Sequence, residues 1–378
     1  MEDLTIALDA RPAVWYRGTG IGEYTYQLAG ALIEAFPANR YLLVWPPGEP
    51  TTFPPGARLR FHAVPKDEGV EERELPGWLR AAGAEVYHAP QNGFRAPSPC
   101  PVPLVVTVHD LIPFVLPELV RASFRRRFMR ELPRILERSD LVVTVSKASR
   151  EDLVRILEVP PAKIRVVYPG VDQRFHPVPK AAARHYLVSQ YQLPPRYILY
   201  VGGMNERKNV AELIFAYAKV RRYLDPPHQL VVAGKVSRRE EPLFRLVDSL
   251  GLEGEVLFPG FIPTHDMPAL YSGAALLVYP SLYEGFGLPP LEAMACGTPV
   301  VIARAPALLE VAGPAALTVR TGDTLALAEA IHEVLRRPDL AGQLVERGLS
   351  RARSFCWQRT AQEMIGVYRA AASGRPNR

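Results

Sequence analysis

The sequence predicts two doubly wound α/β domains, each a parallel sheet with helices on both faces. Three observations carry that prediction. The chain has 378 residues, too many for one ordinary domain and enough for two that each bury a core. Short apolar, β-branched runs alternate with helix-length amphipathic stretches, the pattern of parallel strands joined by crossover helices. The series runs once, weakens across a proline-rich stretch, and starts again.

The first series places strands at residues 4–10, 41–45, 85–88, 104–108 and 141–145. Helical patterns follow several of them; in one, Ile21, Tyr24, Leu28, Ala31 and Ala35 form a single apolar stripe. After Tyr168-Pro169-Gly170 the periodicity fades until Pro194-Pro195, which reads as a linker. The second series places strands at 197–201, 229–233, 255–258, 275–279 and 299–302. A closing helix from Trp357 to Tyr368 is expected to pack back on the first domain. The boundaries are therefore 1–176 for the N-terminal domain, 177–194 for the linker and 195–354 for the C-terminal domain, with 355–372 returning to the first. Ligands of such sheets sit beyond the carboxyl ends of the strands, so the cleft between the two domains is the place to search.

Composition narrows the class. Hydrophobic residues at 48% and charged residues at 22% describe an ordinary globular chain, not a disordered or fibrous one. The 38 prolines are dispersed and act as punctuation. Cys100, Cys296 and Cys356 lie far apart, forming neither a disulfide framework nor a metal-ligand cluster, which points to a reducing compartment. The opening Met1-Glu2-Asp3-Leu4 is not a signal peptide, and no apolar run approaches the roughly 18 residues of a membrane span. A cytoplasmic protein is expected. The net charge of +6 is modest and calls for no nucleic-acid partner. Its densest source is the run Arg121 to Arg138, where Phe124, Phe128 and Leu132 mark an apolar face opposite arginines, with Pro133 opening a second helix. That run reads either as a solvated basic surface or as a landing patch for anionic lipid or a phosphate-bearing acceptor, peripheral on the inner membrane face.

Chemistry concentrates after the strand 275–279. There the chain reads Pro280-Ser281-Leu282-Tyr283-Glu284-Gly285-Phe286-Gly287-Leu288-Pro289-Pro290-Leu291-Glu292. A glycine-rich loop lets backbone N–H groups approach a ligand, prolines open a short helix, and the helix N-terminus attracts an anion. Glu292 is expected in the first helical turn. Glu284 and Glu292 beside an anion site make sense if the ligand also carries hydroxyls, as a nucleotide sugar does. The plainer reading has Glu292 complementing the helix dipole and Glu284 solvated.

Arg207 and Lys208, just past the strand 197–201, are placed to neutralise a diphosphate, one as a fork and one as a point charge. Gly18-Thr19-Gly20-Ile21-Gly22 opens the first long helix, with spacing unlike the dinucleotide fingerprint. His109 and Asp110 end the strand 104–108, where side chains reach the cleft; His88 ends another strand and reads as structural.

The stretch from Glu284 through Val301 closely resembles the signature of retaining glycosyltransferase family 4, of the GT-B architecture, and the resemblance runs along nearly the whole chain. It implies that Glu284 faces the donor sugar, Glu292 binds the nucleotide ribose, and the Gly285, Phe286, Gly287 and Leu288 backbone holds sugar and phosphate. It implies phosphate contacts for Arg207 and Lys208, and an approach of the Gly18 and Gly20 loop to donor phosphates and acceptor. His109 followed by Asp110-Leu111 is similar to bacterial mannosyltransferases of the family, which implies that His109 lies against the donor sugar and acceptor, with Asp110 orienting it. The activity implied is a retaining, metal-independent transfer of a hexose without a cofactor. Mannose from GDP-mannose is expected, with a UDP-glucose-type donor second, and the acceptor is a glycan, a lipid-linked glycan or a small molecule. Residues 303–307 and Pro314 depart from the family pattern and bear on sugar specificity. A catalytically idle nucleotide- or glycan-binding subunit of a polysaccharide assembly complex is the rival reading.

Overall fold

The structure, a computed structural model, describes residues 3–48, 58–64 and 73–374; the Met1-Glu2 opening lies outside them. The chain divides into two units, Met1–Gly170 with Phe355–Arg378, and Val171–Ser354.

The first unit is built on seven parallel strands: β1 (Thr5–Asp9), β2 (Arg40–Trp45), β3 (Leu59–Ala63), β4 (Val86–Ala89), β5 (Leu104–Val108), β6 (Leu141–Thr144) and β7 (Ile164–Val166), in the order 3-2-1-4-5-6-7. Ile6 sits opposite both Tyr41 and Val86, which fixes the register of β2, β1 and β4. β1, β4 and β5 are buried at every residue because helices cover both faces, hence their near-continuous apolar sequence. The edge strand β3 is only half-buried or exposed along its length, with no continuous apolar run to mark it in the sequence.

The second unit repeats the plan with β8 (Tyr197–Val201), β9 (Gln229–Ala233), β10 (Val256–Gly260), β11 (Leu276–Tyr279), β12 (Val300–Ala303) and β13 (Leu317–Val319), in the order 10-9-8-11-12-13. In each sheet the chain reverses direction of winding once, between β1 and β4 and between β8 and β11. Those are the switch points at which loops diverge and leave a crevice.

Three expectations change. Residues 177–194 are not a bare linker: the helix Lys180–Tyr191 lies within them and belongs to the second unit, with Tyr186 Oη donating to Asp266 Oδ1 at 2.7 Å. It buries only Ala183 and Leu187, too few apolar positions to show a stripe. Pro133 opens no second helix but lies inside one helix, Ala122–Arg138. The buried run Phe128, Leu132, Ile135 and Leu136 continues through it, and that packing outweighs the lost backbone hydrogen bond. The division between units falls at Gly170, where a Cβ would lie 2.3 Å from the Trp357 amide nitrogen, so only glycine fits.

The last helix, Trp357–Ser373, returns to the first unit. Thr360 Oγ1 donates to Tyr168 O at 2.7 Å, and Tyr368 Oη bonds His88 Nδ1 at 2.8 Å. The other His88 nitrogen bonds Thr107 Oγ1 at 2.8 Å, and burial pushes its pKa down to about 3, so it is a neutral cross-link of the core. Among the described residues no helix is long and apolar enough to cross a membrane.

Candidate active site

In the second unit the loops leaving β8 and β11 meet at the switch point. Gly202, with φ of +143°, carries the chain out of β8, and a Cβ on Gly234 would lie 2.0 Å from its carbonyl oxygen. A 3₁₀ turn, Glu206–Lys208, follows and is ended by Asn209 in the left-handed conformation, φ +56°. Asn209 Nδ2 donates to the buried Glu212 carboxylate and, at 3.5 Å, to Pro280 O. Leu282 N donates to Arg207 O at 2.9 Å. These bonds tie the two loops together from below.

The side chains then converge. Glu284 Oε1 lies 2.9 Å from Arg207 Nη1 and 2.7 Å from Lys208 Nζ, with all three side chains at most 14% exposed. Arg207 also donates to Tyr283 O, and Lys208 Nζ to Tyr279 Oη at 2.5 Å. Burial works to raise the Glu284 pKa, but the Lys208 and Arg207 charges outweigh it and hold the carboxyl below its ordinary value. Burial and the Glu284 charge push the Tyr279 hydroxyl well up, so it stays a neutral acceptor for Lys208. The trio is one carboxylate against two cations, a net positive site in partly dry surroundings, suited to receiving a polyanion. Among the described residues no cluster of three His, Cys, Asp or Glu stands ready to hold a metal ion.

The helix Leu288–Ala295 starts after Gly287, whose φ of +125° favours glycine. Gly285 and Phe286 are buried, and the Phe286 ring faces the interior, so this stretch can serve a ligand through its backbone. Leu288 and Glu292 are half-buried. Glu292 stands in the second turn, not the first, because Leu288 opens the helix; its Oε2 accepts from Tyr271 Oη at 2.7 Å. Tyr271 and Tyr279 were missed from sequence, where a tyrosine at a strand or helix end resembles any other core aromatic.

The remaining candidates belong to the first unit. His109 Nε2 donates to Pro90 O at 2.8 Å, and its ring meets Tyr24 edge-on with centroids 4.8 Å apart. Burial pushes its pKa down to about 4 against a weaker opposing pull from the Pro90 bond, so the imidazole is neutral at pH 7. With Nε2 carrying the proton, Nδ1 is the acceptor for a hydroxyl. Asp110 Oδ1 accepts from Ile112 N at 3.0 Å, a local turn bond ahead of the next short helix. Pro90 and Tyr24 therefore hold the His109 ring in place.

Thr19 caps the Gly20–Ala35 helix by accepting from Gly22 N at 3.3 Å. Gly18, at φ +81°, donates its N–H to Glu23 Oε1 at 3.1 Å. A Cβ on Gly20 would meet nothing within 4 Å, whereas one on Gly22 would lie 2.0 Å from Tyr16 O. Along Ala122–Arg138, Arg125 and Arg138 donate to carbonyls of Pro117, Pro97 and Ala96, and Arg127 and Arg130 pair with Glu131. Arg121, Arg126 and Arg134 are exposed beside an exposed Phe124 and Met129.

Known proteins match both halves. Residues 18–175 fit the family model described as Glycosyltransferase Family 4, and residues 189–351 fit Glycosyl transferases group 1. O-antigen chain mannosyltransferase B of Escherichia coli is 33% identical over 267 residues, covering 70% of each chain. Sucrose-phosphate synthase from Thermosynechococcus elongatus superposes with a TM-score of 0.78 at 26% identity, over 98% of this chain and 100% of that one. Anabaena Alr3699/HepE, solved in complex with UDP-glucose, shares the fold with a TM-score of 0.75 at 18% identity, over 98% of this chain and 100% of that one.

Proposed function

This chain belongs to glycosyltransferase family 4, and we propose that it is a retaining, metal-independent hexosyltransferase that uses GDP-mannose. The observation that supports this reading is the Arg207, Lys208 and Glu284 trio at the switch point of the second sheet. The donor's diphosphate lies against the two cations. The acceptor oxygen bonds to the anomeric carbon as that carbon's bond to the diphosphate oxygen breaks, and the electron pair leaves with the nucleoside diphosphate. The acceptor proton passes to a departing phosphate oxygen on the same face. Arg207 and Lys208 stabilise the charge growing on the leaving group, a task for preorganised cations. Glu284 keeps them in place and accepts from a donor-sugar hydroxyl, and Glu292 accepts from the ribose. His109 accepts a hydroxyl of sugar or acceptor through Nδ1. The acceptor is a glycan, a lipid-linked glycan or a small molecule, met in the cytoplasm.

Mannose is favoured by the likeness to an O-antigen chain mannosyltransferase. HepE, bound to UDP-glucose, keeps a UDP-sugar as the second reading. Thermal unfolding with GDP, UDP, ADP, GDP-mannose and UDP-glucose decides, because a ligand of the folded state alone raises the melting temperature. A selective rise with GDP, larger with GDP-mannose, is expected. A selective rise with UDP-glucose transfers the assignment to that donor, and no rise from any of them favours an idle subunit.

The exposed arginines and Phe124 of Ala122–Arg138 further support peripheral contact with an anionic membrane. Co-sedimentation with phosphatidylglycerol vesicles at low salt, lost in an Arg126→Glu/Arg134→Glu variant, is the expected result; equal sedimentation of that variant removes the case.

A further inference from the structure

A concave site of different character lies wholly within the second unit, at the amino end of its sheet and so opposite Arg207, Lys208 and Glu284. Its floor is the chain entering β8, Gln229 at the start of β9 and Glu255 just before β10, and the carboxyl end of the Val210–Val220 helix makes one wall. The cavity holds about 300 Å³, the lower end of the range of small-molecule sites. The length of a five-residue strand, about 16 Å, separates it from the trio.

The hydrogen bonds already made there decide which polar atoms remain for a ligand. His228 Nδ1 lies 2.8 Å from Pro226 O; a carbonyl can only accept, so Nδ1 carries the proton and Nε2 presents a lone pair. Burial lowers the His228 pKa, which keeps the ring neutral at pH 7. Gln229 Nε2 donates to Gly254 O, which leaves its Oε1 as an acceptor. Glu255 Oε1 takes Arg221. Tyr217 Oη gives its one proton to His228 O at 2.9 Å and stands 3.4 Å from Glu255 Oε2, so that oxygen, on a side chain 38% exposed, keeps a lone pair for a ligand. Three acceptors thus come from neighbouring segments, with the exposed Arg196 as a donor at the rim. Pro194, Pro195 and Pro227 add aliphatic surface, while the Tyr217 ring is 1% exposed and offers no face on which a base could stack.

This lining selects against charge of either sign. An anion would meet the Glu255 carboxylate and the lone pairs, and a cation would meet Arg196 and Arg221. A neutral ring carrying several hydroxyls satisfies every group: its O–H donors reach the three acceptors, a hydroxyl oxygen accepts from Arg196, and its C–H atoms cover the prolines. We propose that this cavity is a second carbohydrate site that takes one neutral hexose residue, free or within a glycan, its hydroxyls donating to His228 Nε2, Gln229 Oε1 and Glu255 Oε2. The assignment rests on the cavity's own atoms and is independent of the transferase reading.

Amide NMR shifts of the full chain during titration with methyl α-mannoside, methyl α-glucoside and a linear α-mannotriose test it, with guanosine and inorganic phosphate as controls. At least one sugar is expected to shift the Arg196, Gln229 and Glu255 amides and the Gln229 side-chain amide, with a Kd on the order of 1 mM. His228→Phe and Gln229→Leu each remove one acceptor and should weaken that binding by about three- to tenfold, the scale of one neutral hydrogen bond. An unchanged melting temperature reports that both variants are folded, and His228→Gln, which retains an acceptor, should bind closer to the parent. Shifts confined to the loops of Arg207, Lys208 and Glu284 would place the sugar in the other site and overturn the proposal. So would undiminished affinity in both acceptor-less variants, or guanosine or phosphate moving these amides where no sugar does. Absence of any sugar-induced shift at about 50 mM overturns it as well.

Discussion

Glu284 sits where two forces oppose each other. Its side chain is 10% exposed, and a lone carboxylate so placed would be costly, yet Arg207 and Lys208 keep it ionised. Removing it leaves two cations facing one another. Turnover in Glu284→Ala should fall by about 100-fold or more, the scale of losing a preorganised polar group at a reacting centre. Affinity for the nucleoside diphosphate should stay equal or rise, because the site gains positive charge. Measured kcat against a calorimetric Kd separates these effects. Affinity falling in step with turnover would instead make Glu284 a scaffold for the cations and no more. The charges of this trio were legible from sequence, since Arg207-Lys208 and Glu284 each follow a strand. Their mutual pairing was not, because Lys208 and Glu284 are separated by 76 positions.

Among the elements, the Gly20–Ala35 helix shows how a motif can be right in outline and wrong in emphasis. Sequence reading singled out Gly18 and Gly20. The structure places the strict requirement at Gly22, beneath the carbonyl of Tyr16. That contact comes from the preceding turn Pro12–Trp15, four residues long and too short to show any periodicity. Gly22→Ala should destabilise the protein by about 1–3 kcal/mol, the usual cost of forcing atoms into a packed site. Gly20→Ala, in open space, should leave the melting temperature unchanged or slightly raised, as alanine favours helix. Activity of Gly20→Ala then isolates function: full kcat/KM in that variant would separate Gly20 from the donor. The basic helix Ala122–Arg138 carries the same lesson, because Pro133 reads as a boundary locally and is overridden by a buried face that runs past it.

At the scale of the whole molecule, the first unit is discontinuous, closed by residues from Phe355 onward. His88 and Tyr368, 280 positions apart, bond within its core. The sequence by itself determined the two parallel sheets, since strands buried on both faces must be apolar throughout. It also determined that cations and carboxylates would follow particular strands, and so the family. Tertiary structure alone decided that Lys180–Tyr191 is a helix of the second unit, which glycine is irreplaceable, and that Pro90 and Tyr24 orient His109. It decided as well which cation meets which carboxylate. The physical reason is one of range. Periodicity and turn chemistry are imposed by neighbours along the chain, whereas a pairing exists only once strand order has made two distant loops adjacent at a switch point.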